Sequence, residues 1–256
     1  MLANQRREQI AEYVKKNGAI TVSYIMNTYK VSTETVRKDL NELEKLNLLE
    51  RVHGGAVCKN KVKHYKILSD RLDENKGRKA ELAQVAAKLI RENDVVAIDA
   101  GSTAIEVANA IKRTVKNITV VTYSLEIFEM FAGEDGYKAV LIGGEYLEKE
   151  KAFYGSLAEE TAEKLNFDKA FVFPSSVSVS SGASDYMTEF YNIQKTYIKN
   201  SNEVYFLADS TKFETTAFMK LCDIKGYTII TDSGLDESLF KLYEEHGIQI
   251  LRGDAK

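Results

Sequence analysis

The stretch from Arg6 to Val57 constrains the fold of this chain most, because it combines three short amphipathic segments with a glycine pair behind Arg51. Apolar residues recur in it at the spacing of helix faces. The stripes are Ile10 and Val14 in the first segment, Val22, Ile25 and Met26 in the second, and Val36, Leu40 and Leu43 in the third. We expect three helices around a small core, with the charged residues of the first helix, Arg6 and Arg7 among them, facing outward.

Short polar residues mark where these helices begin. Thr21 is a suitable cap for the second helix, and Lys30 to Ser32 form a tight turn into the third. Ser32 is a suitable cap for the third helix, although Thr35 stands where a Glu or Gln would complete a capping box. The sequence therefore predicts a helix, a turn and a second helix that starts at a defined residue.

A strand and a tight tip follow the third helix. Residues 48–52 alternate like a strand, and His53, Gly54 and Gly55 form a tip that can approach a backbone closely. Three helices and a wing predict a winged helix-turn-helix, in which Thr and Arg reach base edges and Lys neutralises phosphates. The candidate DNA-binding residues are Ser32, Thr33, Thr35, Arg37, Lys38, Arg51, His53 and Gly54. The alternative is a surface helix whose charges are only solvated.

Length, charge and composition fit a DNA-binding head on a larger body. The 256 residues exceed the ~100–200 of one domain. The net charge is −3, yet residues 1–58 hold nine Lys/Arg against seven Asp/Glu. No apolar run approaches the ~18 residues of a membrane span, the start lacks a signal peptide, and Cys58 and Cys222 match no metal or redox spacing. We expect a cytoplasmic protein without membrane contact, metal or cofactor.

Three regions follow from these patterns. We expect a DNA-binding domain at 1–58, a linker at 59–76 and an α/β effector-sensing domain at 77–256. The linker range is rich in charge and lacks a clear period, so it has room for at most a short helix. Its lysines, Lys59, Lys61, Lys63 and Lys66, are either solvated or contact phosphates.

Beyond the linker, apolar strands alternate with helical patterns, the first of which is Arg78 to Arg91. The expected strands are Val95–Ala100, Ile118–Thr122, Ala139–Ile142, Lys169–Phe173, Val204–Ala208, Thr228–Thr231 and Ile248–Leu251. This alternation predicts an α/β, Rossmann-like domain with a mostly parallel sheet and helices on both faces.

The loops after these strands carry the chemistry. Small hydroxyl residues and glycines follow the strands, as in Gly101-Ser102-Thr103, Tyr123-Ser124, Gly143-Gly144 and Asp209 to Lys212. In an open α/β sheet such loops share the carboxyl edge, where ligands bind, and backbone N–H groups at helix starts attract anions. Together with the charge of Lys212 they predict a pocket for a small phosphorylated ligand. Asp99 could bind a sugar hydroxyl or cap the next helix.

At this point the chain resembles a known family. VSTETVRKDLNELEKLNLLERVHGGAV is similar to the N-terminal signature of DeoR-type transcriptional regulators, with Asn47 where the family has a glycine. DAGST, VVTYS, LIGG, LADSTKF and ITDSG are similar to successive motifs of the DeoR-type sensor domain, so the resemblance covers the whole chain. It implies that the third helix enters the major groove and that the wing contacts the flanking backbone.

For the second domain, the resemblance implies the fold of ribose-phosphate isomerases and coenzyme A transferases and a sugar-phosphate ligand. By matched position, Gly101, Ser102 and Thr103 would hold the phosphate. The residues expected around the sugar are Asp99, Ser124, Gly144, Asp209 and Lys212, and Lys79, Glu189 and Lys195 also match. The chain departs from the family at Tyr123, usually an asparagine, and in the loop of residues 173–184, which contains Pro174.

Three classes of function remain. We favour a sequence-specific regulator that binds double-stranded operator DNA as a homodimer or homotetramer, most simply a repressor of a sugar-metabolism operon released by a phosphorylated sugar. The second class is a sugar-phosphate isomerase or deaminase with a DNA-binding head, but His53, His64 and His246 do not follow the strands, and we expect no enzyme activity. The third is a constitutive DNA-binding or assembly protein whose pocket has changed ligand or lost sensing.

Overall fold

The computed structural model describes residues 3–17, 19–46, 48–52, 54–57 and 66–254. The chain divides into two compact units, Met1–Tyr65 and Lys66–Lys256, which are described separately. The second unit thus begins at Lys66, within the range for which the sequence predicts a linker. No helix in the described ranges is long and apolar enough to cross a membrane.

The first unit contains three helices and a small antiparallel sheet. Its elements are α1 (Ala3–Asn17), β1 (Ala19–Thr21), α2 (Val22–Tyr29), α3 (Thr33–Lys45), β2 (Glu50–Val52) and β3 (Gly55–Val57). The strand order is β1-β3-β2, so β1, which the sequence pattern did not predict, extends the expected wing. A Cβ on Gly55 would lie 2.1 Å from the carbonyl oxygen of Ile20, so this close approach of two strands requires glycine.

The predicted helix faces form the core of the first unit. Ile10, Val14, Ile25, Val36, Leu40 and Leu43 are all buried, together with Leu49. The side chains of Thr21 and Ser32 accept hydrogen bonds from the backbone N–H groups of Tyr24 and Thr35, at 3.1 and 3.3 Å, which confirms both predicted caps. Lys30 takes the left-handed conformation that closes α2, with φ 53°.

The expected outward orientation of Arg6 is wrong. Only 8% of Arg6 is exposed, and its Nε donates to Asp39 of α3. Asp39 is itself buried and also accepts from Arg7. A buried carboxylate needs charged partners, so the arginines turn inward despite their position among polar residues.

The second unit is a three-layer α/β structure. Its helices are α4 (Leu68–Leu72), α5 (Lys76–Lys88), α6 (Ser102–Thr114), α7 (Leu125–Phe131), α8 (Ser156–Glu163), α9 (Tyr191–Lys199) and α10 (Glu237–Glu245). Its central strands are β4 (Val95–Ile98), β5 (Ile118–Thr122), β6 (Tyr137–Leu141), β9 (Phe167–Val172), β12 (Ser201–Leu207), β14 (Thr228–Thr231) and β15 (Gln249–Arg252). All seven predicted strands are therefore present in one sheet.

The order of the central sheet is β15-β14-β12-β9-β4-β5-β6, and every neighbouring pair is parallel. Apolar residues of α5, α6 and α7 pack on one face, and those of α8, α9 and α10 on the other. The chain builds outward from β4 to β6 and then returns to place β9 on the other side of β4. This reversal creates a topological switch point between β4 and β9, where ligands bind in such sheets.

Short strands outside the central sheet complete the unit. They are β7 (Glu145–Leu147), β8 (Ala152–Tyr154), β10 (Ser176–Ser178), β11 (Gly182–Asp185) and β13 (Met219–Cys222). Strands β7 and β8 form a hairpin, and β10, β11 and β13 form an antiparallel sheet. The serine-rich loop after β9 is thus partly strand, which the sequence pattern did not predict.

Candidate functional site

A small cavity of about 50 Å³ lies at the carboxyl ends of β4, β9 and β12, beside the switch point. It is lined by Arg71, Glu74, Asn75, Lys79, Ala100, Gly101, Ser102, Thr103, Phe173, Pro174, Ser175, Leu207, Ala208, Asp209 and Lys212. Five of the eight effector-binding residues expected from the sequence, Gly101, Ser102, Thr103, Asp209 and Lys212, are therefore brought together.

The start of α6 forms one wall of the cavity. Gly101 has φ 132°, which favours glycine, and within the described ranges no side chain caps the helix. The N–H groups of the first turn lack partners inside the helix, and the helix dipole places partial positive charge there. Ser102 lines this wall and is almost fully buried, so its hydroxyl is a further donor beside a site suited to an anion.

Three cationic side chains line the same cavity: Arg71, Lys79 and Lys212. Arg71 pairs with Glu150, and Lys79, which is 5% exposed, donates from Nζ to the carbonyl oxygen of Arg71. Burial lowers the pKa of Lys79, while the nearby Asp209 carboxylate opposes that shift. An anion in the cavity would favour the charged form of this lysine.

Hydrogen bonds between loops hold the loop that carries Lys212. Asp232, which follows β14, accepts from the backbone N–H and the hydroxyl of Ser210 at 2.6 and 3.0 Å. Asp209 accepts from the N–H of Thr211 at 3.0 Å and starts the short 3₁₀ helix Ser210–Lys212. These contacts fix the position of Lys212, whose own side chain forms no salt bridge with a described residue.

Asp99 lies behind the cavity wall and does not line it. Its carboxylate accepts from the N–H of Phe173 at 3.0 Å, from Nε2 of Gln194 at 3.1 Å and from the hydroxyl of Tyr123. Complete burial raises the pKa of Asp99 to about 6, against these hydrogen bonds. Asp99 neither caps α6 nor contacts the cavity, and its role toward a ligand stays a prediction.

Ser124 and Gly144 also lie outside the cavity lining. Ser124 is buried and caps α7, accepting from the N–H of Ile127 at 3.4 Å. A Cβ on Gly144 would lie 2.4 Å from the carbonyl oxygen of Tyr154, so the backbone needs glycine there. Both positions have a local structural reason for their residue type.

Sequence reasoning missed the cavity residues Arg71, Glu74 and Asn75. Arg71 lies in α4, and Glu74 and Asn75 lie between α4 and α5, all in the range expected to be a linker. The short α4 and the charged, aperiodic sequence around it carry no signal that this segment folds against the start of α6.

In the first unit, α3 exposes Arg37 and Lys38, and Lys38 forms an exposed salt bridge with Glu34 at 3.0 Å. Ser32 and Thr35 bond to each other at the cap, and Thr33 donates to the sulfur of Met26 at 3.3 Å.

Contacts of Arg51 join the wing to α3. Its side chain bonds to Asn41, and its backbone N–H donates to Glu44 at 2.8 Å. Gly54 is exposed at the tip with φ 85°, whereas His53 lies outside the described residues. Of the described candidates for DNA contact, Thr35 is half-buried, and the exposed ones are Ser32, Thr33, Arg37, Lys38, Arg51 and Gly54.

A three-helix unit with a β wing, joined to an α/β unit with a switch-point cavity, defines a class of protein: transcriptional regulators that bind DNA. A DeoR-like helix-turn-helix domain model matches residues 6–62, and a model of the DeoR C-terminal sensor domain matches residues 74–233. The chain belongs to the DeoR family and is a DNA-binding transcriptional regulator.

Similar proteins span the full length of the chain. It is 32% identical to the lactose phosphotransferase system repressor of Lactococcus lactis subsp. lactis, over 99% of this chain and 100% of that protein. It is also 32% identical to the L-fucose operon activator of Haemophilus influenzae, over 96% of this chain and 98% of that protein. Among solved structures, ribose 5-phosphate isomerase A from Neisseria gonorrhoeae is 18% identical and covers 54% of this chain and 53% of its own, with a TM-score of 0.40.

Proposed function

We propose that this protein represses a sugar-metabolism operon in the cytoplasm and leaves its operator when a phosphorylated sugar binds the cavity. The start of α6, without a side-chain cap and surrounded by Arg71, Lys79 and Lys212, carries this proposal. Exposed N–H groups at a helix start and converging cations form the arrangement that binds phosphate in proteins. The names of similar proteins support a sugar operon, and they include both repressors and an activator.

The size of the cavity indicates which part of the ligand it holds. Its volume of about 50 Å³ is far below the ~300–1,000 Å³ of a pocket that encloses a drug-sized molecule. The cavity therefore accommodates the phosphate group, and the sugar extends toward the rim formed by Phe173 to Ser175 and by Asp209. The rim residues then select the sugar.

DNA contact is assigned to α3 and the wing. Arg37 and Lys38 are exposed on α3, whereas Val36 and Leu40 are buried, and we propose that Arg37 reads bases while Lys38 contacts phosphate. Thr33, Arg51 and Gly54 contribute from the start of α3 and from the wing, and His53 remains a candidate by sequence alone.

We propose binding without turnover. The carboxylates at the carboxyl edge, Asp99, Asp209 and Asp232, each accept at least two hydrogen bonds from the protein itself. Such carboxylates hold loops in place, whereas isomerisation needs a group positioned to exchange a proton with the substrate. His246, the histidine that the structure describes, closes α10 and bonds to the carbonyl oxygen of Leu242.

The test uses operator DNA from upstream of the protein's own gene, with binding followed by fluorescence anisotropy. Phosphorylated sugars and the same sugars without phosphate are titrated into the complex. We expect one phosphorylated sugar to release the DNA and its unphosphorylated form to have no effect. Equal release by both forms would contradict the proposed phosphate site, and conversion of the sugar in the same samples would contradict binding without turnover.

We further propose that the protein acts as a homodimer or homotetramer. A single winged helix-turn-helix makes few contacts, and two heads on neighbouring half-sites gain affinity from each other. Light scattering on the full-length protein, with and without operator, measures this. A monomer under both conditions would overturn it.

A further inference from the structure

One salt bridge beside the cavity uses a residue that also lines it. Arg71, in α4, pairs through Nη2 with Glu150 in the turn between β7 and β8. Its Nη1 lies 3.7 Å from the place that a Cβ on Gly101 would occupy, next to the start of α6. The Arg71 guanidinium thus lies between a buried carboxylate, 2% exposed, and the proposed phosphate position.

Polar contacts attach both ends of α4 to its own unit. In the part of the chain that the structure describes, the N–H of Leu68 donates to the carbonyl oxygen of Lys149 at 3.3 Å, and Arg71 pairs with Glu150. At the other end, Nζ of Lys79 donates to the carbonyl oxygen of Arg71. A helix of five residues has little stability of its own, so these contacts and the burial of Leu68 hold α4 in place.

Two cations that line the cavity, Arg71 and Lys79, take part in these contacts. A phosphate monoester carries a charge of about −1.5 to −2 at neutral pH, against −1 for the carboxylate of Glu150. It also offers paired oxygens to a guanidinium. A phosphate at the start of α6 therefore offers the Arg71 guanidinium a more strongly charged partner than Glu150.

We propose that ligand binding transfers Arg71 from Glu150 to the bound phosphate group and so detaches α4 from the β7–β8 turn. α4 is the first helix after residues 58–65, which join it in sequence to the DNA-binding unit. A change in the partner of Arg71 would thus couple occupancy of the cavity to the helix that follows the DNA-binding unit in sequence. This inference rests on the proposed function, because it takes the cavity as the phosphate site.

The test uses the full-length protein and inorganic phosphate as the probe, in a buffer free of other polyvalent anions. Calorimetry measures phosphate affinity, and hydrogen exchange follows the Leu68 amide and the amides at the start of α6. In the wild-type protein, phosphate should slow exchange at Ser102 and Thr103 and accelerate it at Leu68.

Two variants and one control separate the partners of Arg71. Glu150→Gln removes the competing charge, so phosphate should bind about fivefold or more tightly, the lower range of coupling between linked sites. Leu68 should exchange faster in this variant even without phosphate. Arg71→Met should weaken phosphate binding and abolish the response at Leu68. Glu148→Gln, an exposed residue in the same turn, should match the wild type in all these measurements.

The outcomes distinguish this inference from the proposed function. Protection at Ser102 with no change at Leu68 would show a phosphate site that does not release α4, and would overturn the inference alone. Equal phosphate affinity of Glu150→Gln and Glu148→Gln, with both variants folded, would also overturn it. No phosphate binding to the wild-type protein would overturn both proposals.

Discussion

The Nε atom of Arg6 lies 2.6 Å from Oδ2 of Asp39, and both side chains are buried. Arg7 approaches the other carboxylate oxygen at 2.8 Å, so two arginines of α1 hold one aspartate of α3. Asp39 lies on the helix that also carries Arg37 and Lys38. The orientation of the proposed recognition helix is therefore set from its buried side by charge as well as by apolar packing.

Asp39→Ala should destabilise the first unit and weaken operator binding. Removing one partner of a buried pair costs about 3–5 kcal/mol, because the remaining charge is left buried and unpaired. Hydrogen exchange of the α3 amides measures the loss, and gel-shift titration measures DNA affinity. Glu42→Ala removes an exposed partner of Lys45 from the same helix and should change neither. Comparable effects of the two substitutions would contradict a special role of Asp39.

The double substitution Arg37→Ala, Lys38→Ala should sharply reduce operator affinity without unfolding the protein. Losing a bidentate base contact costs about 1–3 kcal/mol, and losing a phosphate contact lowers the salt dependence of binding by about one unit of slope. Anisotropy titrations at several salt concentrations separate the two contributions. Lys45→Ala, at the far end of α3, is the control. An unchanged affinity in the double variant would show that α3 is not the recognition helix.

Ser102→Glu should bind the operator normally and no longer respond to the phosphorylated effector. The new carboxylate would occupy the position of the phosphate and repel it from the start of α6. If it mimicked the phosphate instead, the variant would stay in the released state and fail to bind DNA, which also places the switch at this loop. Ser102→Ala keeps the backbone N–H and should respond at higher effector concentration. Normal DNA affinity with a normal effector response in Ser102→Glu would exclude this loop from the mechanism.

Gly144→Ala should destabilise the second unit, whereas Gly143→Ala should not. The added Cβ at residue 144 would meet the carbonyl oxygen of Tyr154 at 2.4 Å, while residue 143 has open space around it. Overpacking of this kind costs about 1–3 kcal/mol. Thermal unfolding of both variants measures the difference. Equal stability of the two variants would mean that the β7–β8 hairpin moves to accommodate the added Cβ. The structural reason for glycine at residue 144 would then be refuted.

Asp99 should make the second unit less stable as the pH rises from about 4 to 7. Burial raises its pKa in the folded protein to about 6, above the ~3.9 of an unfolded chain. Folding thus favours the protonated carboxyl group. The stability that this group contributes is fully present below about pH 4 and is lost as the pH rises through about 6. The loss is on the order of 3 kcal/mol. The free energy of unfolding of Asp99→Asn, measured across this pH range, should not show this decrease. Parallel pH profiles of the wild-type protein and the variant would refute the assignment to Asp99.

Local patterns along the chain determined much of the fold. Helical spacing of apolar residues identified the three core faces of the first unit, and all seven central strands were predicted from their apolar runs and turns. Both depend on neighbours a few residues away, since a helix or strand must bury one face whatever the rest of the chain does. The same reasoning located Gly101, Ser102, Thr103, Asp209 and Lys212, because loops after parallel strands share one edge.

Only the tertiary structure decided which side chains face one another. Asp99 turns away from the cavity because Tyr123 and Gln194, 24 and 95 residues along the chain, bond to its carboxylate. Arg71 reaches the cavity because Glu150, 79 residues away, and the start of α6 enclose it. Pairings over such separations depend on how helices and loops pack, and a charged residue in an aperiodic segment has the same local pattern whether it meets solvent, a carboxylate or a ligand.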